Sequence, residues 1–445
     1  MPLPRRRAVL IAVFLLWSLP VAAQQEPVRY TISFPHAASH YMEVEASYPA
    51  VGRTELDLMM PVWAPGSYLV REYSRNVESV TASSAEGRAL DVVKTAKNHW
   101  RVQTGGANEV RVRYRVYGRE MGVRTNWVEN RFALVNGAAT YITLSDGMSR
   151  PHIVSLTLPA EWKIAISGMP ETGSAHTFTA RNFDVLVDSP IVAGNPALHE
   201  FTVAGKPHYL VNVDEPPFWD VKRSVADVQK IVEANLGFWG SLPYDKYVFL
   251  NILTETGGGL EHQNSVTMMA SRWSTRTHRR YVRWLGLVSH EYFHLWNVKR
   301  LRPVELGPFN YDVENYTRNL WIAEGLTDYY GGLLLRRAGL VSDDEALADL
   351  SSAIAELQNT PGRLVQPLEM ASFDAWIKEY RPDENSPNVS ISYYTKGAIV
   401  GFLLDAKIRT GTNGRRSLDD VMRTAFARYA GAHGYTAGDD QDSQC

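Results

Sequence analysis

The chain has 445 residues, 45% hydrophobic and 21% charged, and 46 Lys+Arg stand against 48 Asp+Glu for a formal charge of −2. This is the composition of a folded soluble protein of two or three domains, which excludes a disordered, collagenous or multi-span membrane chain. It lacks the clustered basic excess that neutralises phosphates, so no nucleic acid is expected as a partner.

Arg5, Arg6 and Arg7 precede an apolar run over residues 8–20, and Val21-Ala22-Ala23 follows it, so residues 1–23 read as a signal peptide. The run is shorter than the roughly 20 apolar residues of a membrane span, so no stable span is expected. Export follows as an expectation, to the periplasm of a Gram-negative bacterium or by secretion. Cys445 is the single cysteine, which allows no intrachain disulfide and leaves cysteine no part in metal ligation or thiol catalysis.

Residues 24–205 alternate at the period of strands. Val110, Val112, Tyr114 and Val116 are interleaved with arginines, and Val154, Leu156 and Leu158 with Ser155 and Thr157. Turn-rich breaks such as Ala64-Pro65-Gly66-Ser67 separate the runs, which predicts an antiparallel β-sandwich. From 206 to 438 the period becomes helical: Val221, Val225, Val228 and Val232 lead, a strand is expected over 247–253, and helices over 279–299, 314–337, 343–358 and 393–409. The fold class is α+β, a β-sandwich followed by a mainly helical domain. Residues 439–445 read as a polar tail.

The chemistry lies in His290-Glu291-Tyr292-Phe293-His294. Two histidines four apart on a helix stand one turn above each other and can share one Zn²⁺, while Glu291 can accept a proton from water beside it. Apolar neighbours such as Val288, Phe293 and Leu295 argue against a chance match. A catalytic zinc takes three protein ligands and leaves one position open. Glu324, within the apolar Trp321–Leu326 stretch, is the best third donor; the competing reading pairs it with Arg318 on a helix surface. Asp328, one turn on, is placed to receive the second ring N–H of a ligand histidine. One Zn²⁺ per chain is expected, although cobalt or manganese suits the same donors.

HEYFHLWNVKRLRP, ENYTRNLWIAEGLTDYY, SYYTKGAIVGFLLDAKIR and the early PVWAPGSYLVREY resemble the glycyl aminopeptidase family of zinc metallopeptidases, gluzincins with a thermolysin-like catalytic domain. The resemblance implies cleavage after the first residue of peptides with a free N-terminus, that residue being Gly or Ala. Gly257-Gly258-Gly259-Leu260-Glu261-His262 resembles the exopeptidase stretch of related enzymes. That implies Glu261 as the anchor of the substrate amine, with Gly258, Gly259 and His262 beside the substrate; the bland reading of the glycines is a flexible turn. Tyr394 matches the tyrosine that donates to the oxyanion, with a core aromatic as the competing reading. Members of the family commonly continue into a PDZ domain; here that domain is either absent or lost by truncation of the sequence. Two rival functions are an endopeptidase with the same zinc site and a periplasmic peptide-binding protein without turnover.

Overall fold

In the strand Glu109–Tyr117 the residues Val110, Val112, Tyr114 and Val116 are buried. Arg111, Arg113 and Arg115 between them pair at the surface with Glu109, Glu45 and Glu78. This strand sits inside a seven-stranded sheet that packs with two four-stranded sheets around one apolar core, as the alternation predicts. One pairing departs from the antiparallel expectation: Val28–Ser33 runs parallel to His152–Thr157. More than a hundred residues separate these strands, so no hairpin forces them antiparallel. The computed structural model describes residues 25–431 and 434–436. The signal peptide expected over 1–23 and the tail expected over 439–445 lie outside the described residues.

A second, five-stranded sheet is ordered Ala197–Val203, Lys206–Val213, Tyr247–Thr254, Ser265–Ser271 and Gly258–Glu261. The boundary expected at 205/206 falls in the turn between its first two strands. The strand Tyr247–Thr254 is apolar almost throughout because both of its faces are covered. Val248, Leu250 and Ile252 meet Phe132, Leu134 and Val192 of the N-terminal sheets. Tyr247 and Phe249 point the other way, into the core that contains Trp284, Val288 and Tyr292. The metal-motif helix is thereby packed onto the sheet that carries the glycine-rich edge strand.

Helices form at Val221–Trp239, His278–Phe293, Leu326–Arg337, Asp343–Asn359 and Tyr393–Gly411. Their starts are capped as helix physics requires: the Asp220, Thr277 and Ser342 side chains accept from Arg223, Arg280 and Glu345 backbone N–H groups. Two helices are shorter than expected. The one expected over 279–299 ends at Phe293, because Val298 takes φ 118° and the Asn297 amide turns away to donate to Ile322 O and Ala323 O. The one expected over 314–337 is irregular before Leu320. There Asn315 bonds the Asn310 and Val313 carbonyls and Thr317 accepts from Asn319 N, local bonds that compete with a helix. Trp321–Gly325 then forms a π-helical turn ahead of Leu326–Arg337. Such turns insert an extra residue and commonly mark functional sites. Among the described residues, no helix is long and apolar enough to cross a membrane.

Candidate metal centre and active site

The helix His278–Phe293 brings the ring Nε2 atoms of His290 and His294 to 3.0 Å from each other. The π turn delivers Glu324 Oε2 to 3.0 Å from His294 Nε2 and 3.7 Å from His290 Nε2. One ligand atom from each of the three residues lies within 4.8 Å of the other two. Arg318, the alternative partner for Glu324, instead donates to Met370 Sδ and lies over the Phe373 ring. His294 and Glu324 are almost fully buried.

The protonation pattern suits a cation. His294 Nδ1 is 2.9 Å from Asn297 O, which takes the ring N–H and leaves the Nε2 lone pair facing inward. His290 Nδ1 lies 2.7 Å from Asp328 Oδ1, although the ring N–H is not aligned on that oxygen. Burial opposes a charge on Glu324, and it is positive charge beside it, on protonated His294 and His290 or on a cation in their place, that holds the carboxyl below the usual carboxylate range. Two imidazole lone pairs and a carboxylate oxygen aimed at one point repel unless a cation lies between them. The donor set, N₂O with room for another ligand, fits a divalent transition metal.

Glu291, on the same helix, lies against the edge strand. A Cβ on Gly259 would fall 1.9 Å from Glu291 Oε1, so only glycine leaves space for this carboxylate. Burial pushes the Glu291 carboxyl up, against the pull of His290 and His294. Its Oε2 has no hydrogen-bond partner among the described residues.

Gly258–Glu261 is the edge of its sheet, paired with Ser265–Ser271 on one side only. Gly258 takes φ 131°, where a side chain would be strained. Glu261 is 4% exposed and its Oε1 has no hydrogen-bond partner among the described residues. Its ligand atom also lies within 4.8 Å of those of Glu291 and His294. Both His262 ring nitrogens face protein, Nδ1 at 3.1 Å from Asp188 Oδ1 and Nε2 at 3.4 Å from Thr267 Oγ1. Tyr394 opens the helix Tyr393–Gly411, its ring centroid 6.3 Å from that of His290 and its hydroxyl 3.4 Å from the Tyr380 hydroxyl. Tyr393 is wholly buried and stacks on it from behind.

Two family models match the chain, the peptidase M61 N-terminal domain over residues 29–195 and M61 glycyl aminopeptidase over 283–400. It is 30% identical to an aminopeptidase N family protein from Idiomarina loihiensis, with a TM-score of 0.87 over 91% of this chain and 70% of that one. The chain belongs to the M61 glycyl aminopeptidase family. An M1 zinc metallopeptidase from Deinococcus radiodurans, a mutant bound to a Tyr-Ser-Ala substrate, shares the fold at 14% identity and a TM-score of 0.55, covering 94% of this chain and 90% of that one. No curated protein matches. As an M61 member this chain is a metallopeptidase with a β-rich N-terminal part and a helical C-terminal part.

Sequence reasoning missed several groups at this M61 site. Asp188, from the β-rich part, accepts from Lys299 Nζ at 2.8 Å and from Gln263 N at 2.7 Å. Lys299 Nζ is in turn 3.9 Å from Glu261 Oε1. Burial opposes the Asp188 charge, and Lys299 and His262 outweigh it to leave the carboxyl lowered. Gly66 presses on Glu261 so closely that a Cβ there would lie 2.4 Å from Oε1, and its carbonyl accepts from Tyr380 at 3.4 Å. The turn signal Ala64-Pro65-Gly66-Ser67 was readable; its closure over a residue nearly 200 positions away was not.

Proposed function

We propose that this metallopeptidase is an exported aminopeptidase that binds one Zn²⁺ through His290, His294 and Glu324 and removes N-terminal Gly or Ala from peptides. One observation carries the reading: a buried carboxylate, Glu261, shares the cleft with the three ligand side chains and with Glu291. Asp188 and Glu261 together face one lysine, Lys299, which leaves a formal negative charge for a substrate ammonium to balance. Trp63, Gly66, Tyr68 and Phe309 crowd the space beside Glu261, which favours a first residue with little or no side chain. Export rests on the sequence of residues 1–23.

Bound there, the metal supplies Lewis acidity to the scissile carbonyl and lowers the pKa of water. The residues of the chain do the rest. Glu261 holds the amine, and the free edge of Gly258–Glu261 aligns the substrate backbone as an added strand. Glu291 takes a proton from the attacking water and returns it to the leaving amine. The Tyr394 hydroxyl donates to the oxyanion; burial, reinforced by the charge of Glu324, raises its pKa, so it keeps the proton it donates.

The test is hydrolysis of free and N-acetylated Gly and Ala substrates with and without chelator. Cleavage of free substrates that is lost on acetylation and on chelation supports the reading. Equal rates on acetylated substrates establish an endopeptidase, and saturable peptide binding without hydrolysis establishes a binding protein.

A further inference from the structure

Two arginines of the β-rich part, Arg124 at the glycine-rich strand and Arg71 beside the Gly66 turn, have no ion-pair carboxylate among the described residues. Arg124 donates through Nη2 to Gly259 O at 3.4 Å, on the glycine-rich edge strand. Its Nε is buried and has no hydrogen-bond partner among the described residues. The Arg71 guanidinium donates to Ser67 Oγ, at 3.0 and 3.3 Å, and Ser67 adjoins the Gly66 that presses on Glu261. The arginines feel each other: burial lowers the Arg71 pKa and the charge of Arg124 lowers it further, with Glu120 as an opposing acid. Glu120 itself lies 4.0 Å from Arg75, and neither Arg71 nor Arg124 has a carboxylate within the 4.0 Å of an ion pair among the described residues.

Distance gives these charges a role. Gly259 lies two residues before Glu261 on an extended strand, about 7 Å at some 3.3 Å per residue. An extended dipeptide spans about the same distance between its amine and its carboxylate. With the amine at Glu261 and the backbone laid along this edge, the second residue ends beside Arg124. We propose that Arg124 and Arg71 form a subsite for the C-terminal carboxylate of short peptides, which makes dipeptides the preferred substrates. This rests on the aminopeptidase reading above, since Glu261 fixes the register. Guanidinium forks match a carboxylate, and here their desolvation is already partly met. Without them, Glu261, Glu291 and Glu324 repel a second carboxylate in the same cleft, and an amide is the better substrate.

The experiment compares kcat/KM for Ala-Ala, Ala-Ala amide and penta-alanine. The expected result is a preference of about 10–100-fold for the acid over the amide, carried by KM, the scale of one net charge-assisted contact. Arg124→Gln brings the ratio close to one and Arg124→Lys retains part of it, since a point charge replaces a fork. Acid and amide cleaved alike by the unaltered enzyme, or penta-alanine preferred over Ala-Ala, overturns the proposal without any variant having to fold. N-acetyl-Ala-Ala separates the two readings. If it is cleaved as fast as Ala-Ala the amine anchor fails, and the dipeptide register fails with it; if it is not cleaved, the acid-to-amide ratio tests the arginines alone.

Discussion

Gly325 and Gly397 pack backbone against backbone. A Cβ on Gly325 would lie 2.5 Å from Gly397 Cα, and one on Gly397 would lie 2.9 Å from Gly325 Cα. The turn that carries Glu324 and the helix that carries Tyr394 are therefore locked together by two residues without side chains, each one to three positions from the group it places. Gly325→Ala has no room and pushes these elements apart. Overpacking of this kind costs roughly 1–3 kcal/mol, and the expected result is a lower melting temperature together with loss of bound metal. A variant with unchanged metal content and melting temperature contradicts the packing argument.

Gly259→Ala tests a different contact. Its methyl collides with Glu291 rather than with a ligand, so metal is expected to stay while kcat falls about 100-fold, the scale of a displacement near 1 Å. Metal analysis and steady-state kinetics on one preparation distinguish this outcome from general unfolding.

Asp328 touches His290 on the side away from His294 and Glu324. Asp328→Asn keeps the shape and removes the charge that supports the imidazole, and metal affinity is expected to fall about 10–100-fold. Competition with a chromogenic chelator measures this directly. An affinity equal to that of the unaltered protein removes Asp328 from the account.

His152 provides a pH test far from the cleft. It is wholly buried, and burial lowers its pKa from 6.5 to about 4. The unfolded chain takes up this proton near pH 6.5 and the folded protein only near pH 4. The contribution is therefore complete above about pH 6.5 and lost as the pH falls towards 4, on the order of 3 kcal/mol. In chelator-treated protein, His152→Phe is expected to flatten the fall of the urea midpoint across that window. An unchanged slope refutes the assignment.

The gathering of these side chains at one place was legible in large part because its pieces are local. His290, Glu291 and His294 lie on one turn, Glu324 stands out as a carboxylate in an apolar stretch, and the edge strand is announced by its glycines. The limits of the metal helix were not legible, since Asn297 leaves it for the Ile322 and Ala323 carbonyls, a contact across 25 residues or more. Nor was the straightening of 314–320, where side-chain bonds of Asn315 and Thr317 outweigh the helical period. Asp188, Arg124 and Tyr380 reach the cleft only through tertiary folding, and nothing in their immediate sequence marks them; Gly66 was marked as a turn but not as a neighbour of Glu261.

The central claim is that His290, His294 and Glu324 hold one metal ion between them. Metal equivalents per chain, measured on the purified unaltered protein and on Glu324→Ala, test it most directly. One equivalent is expected in the first and less than about a tenth in the second, because a two-histidine remnant lacks the third donor of a catalytic site. A folded Glu324→Ala protein that still carries a full equivalent would contradict it.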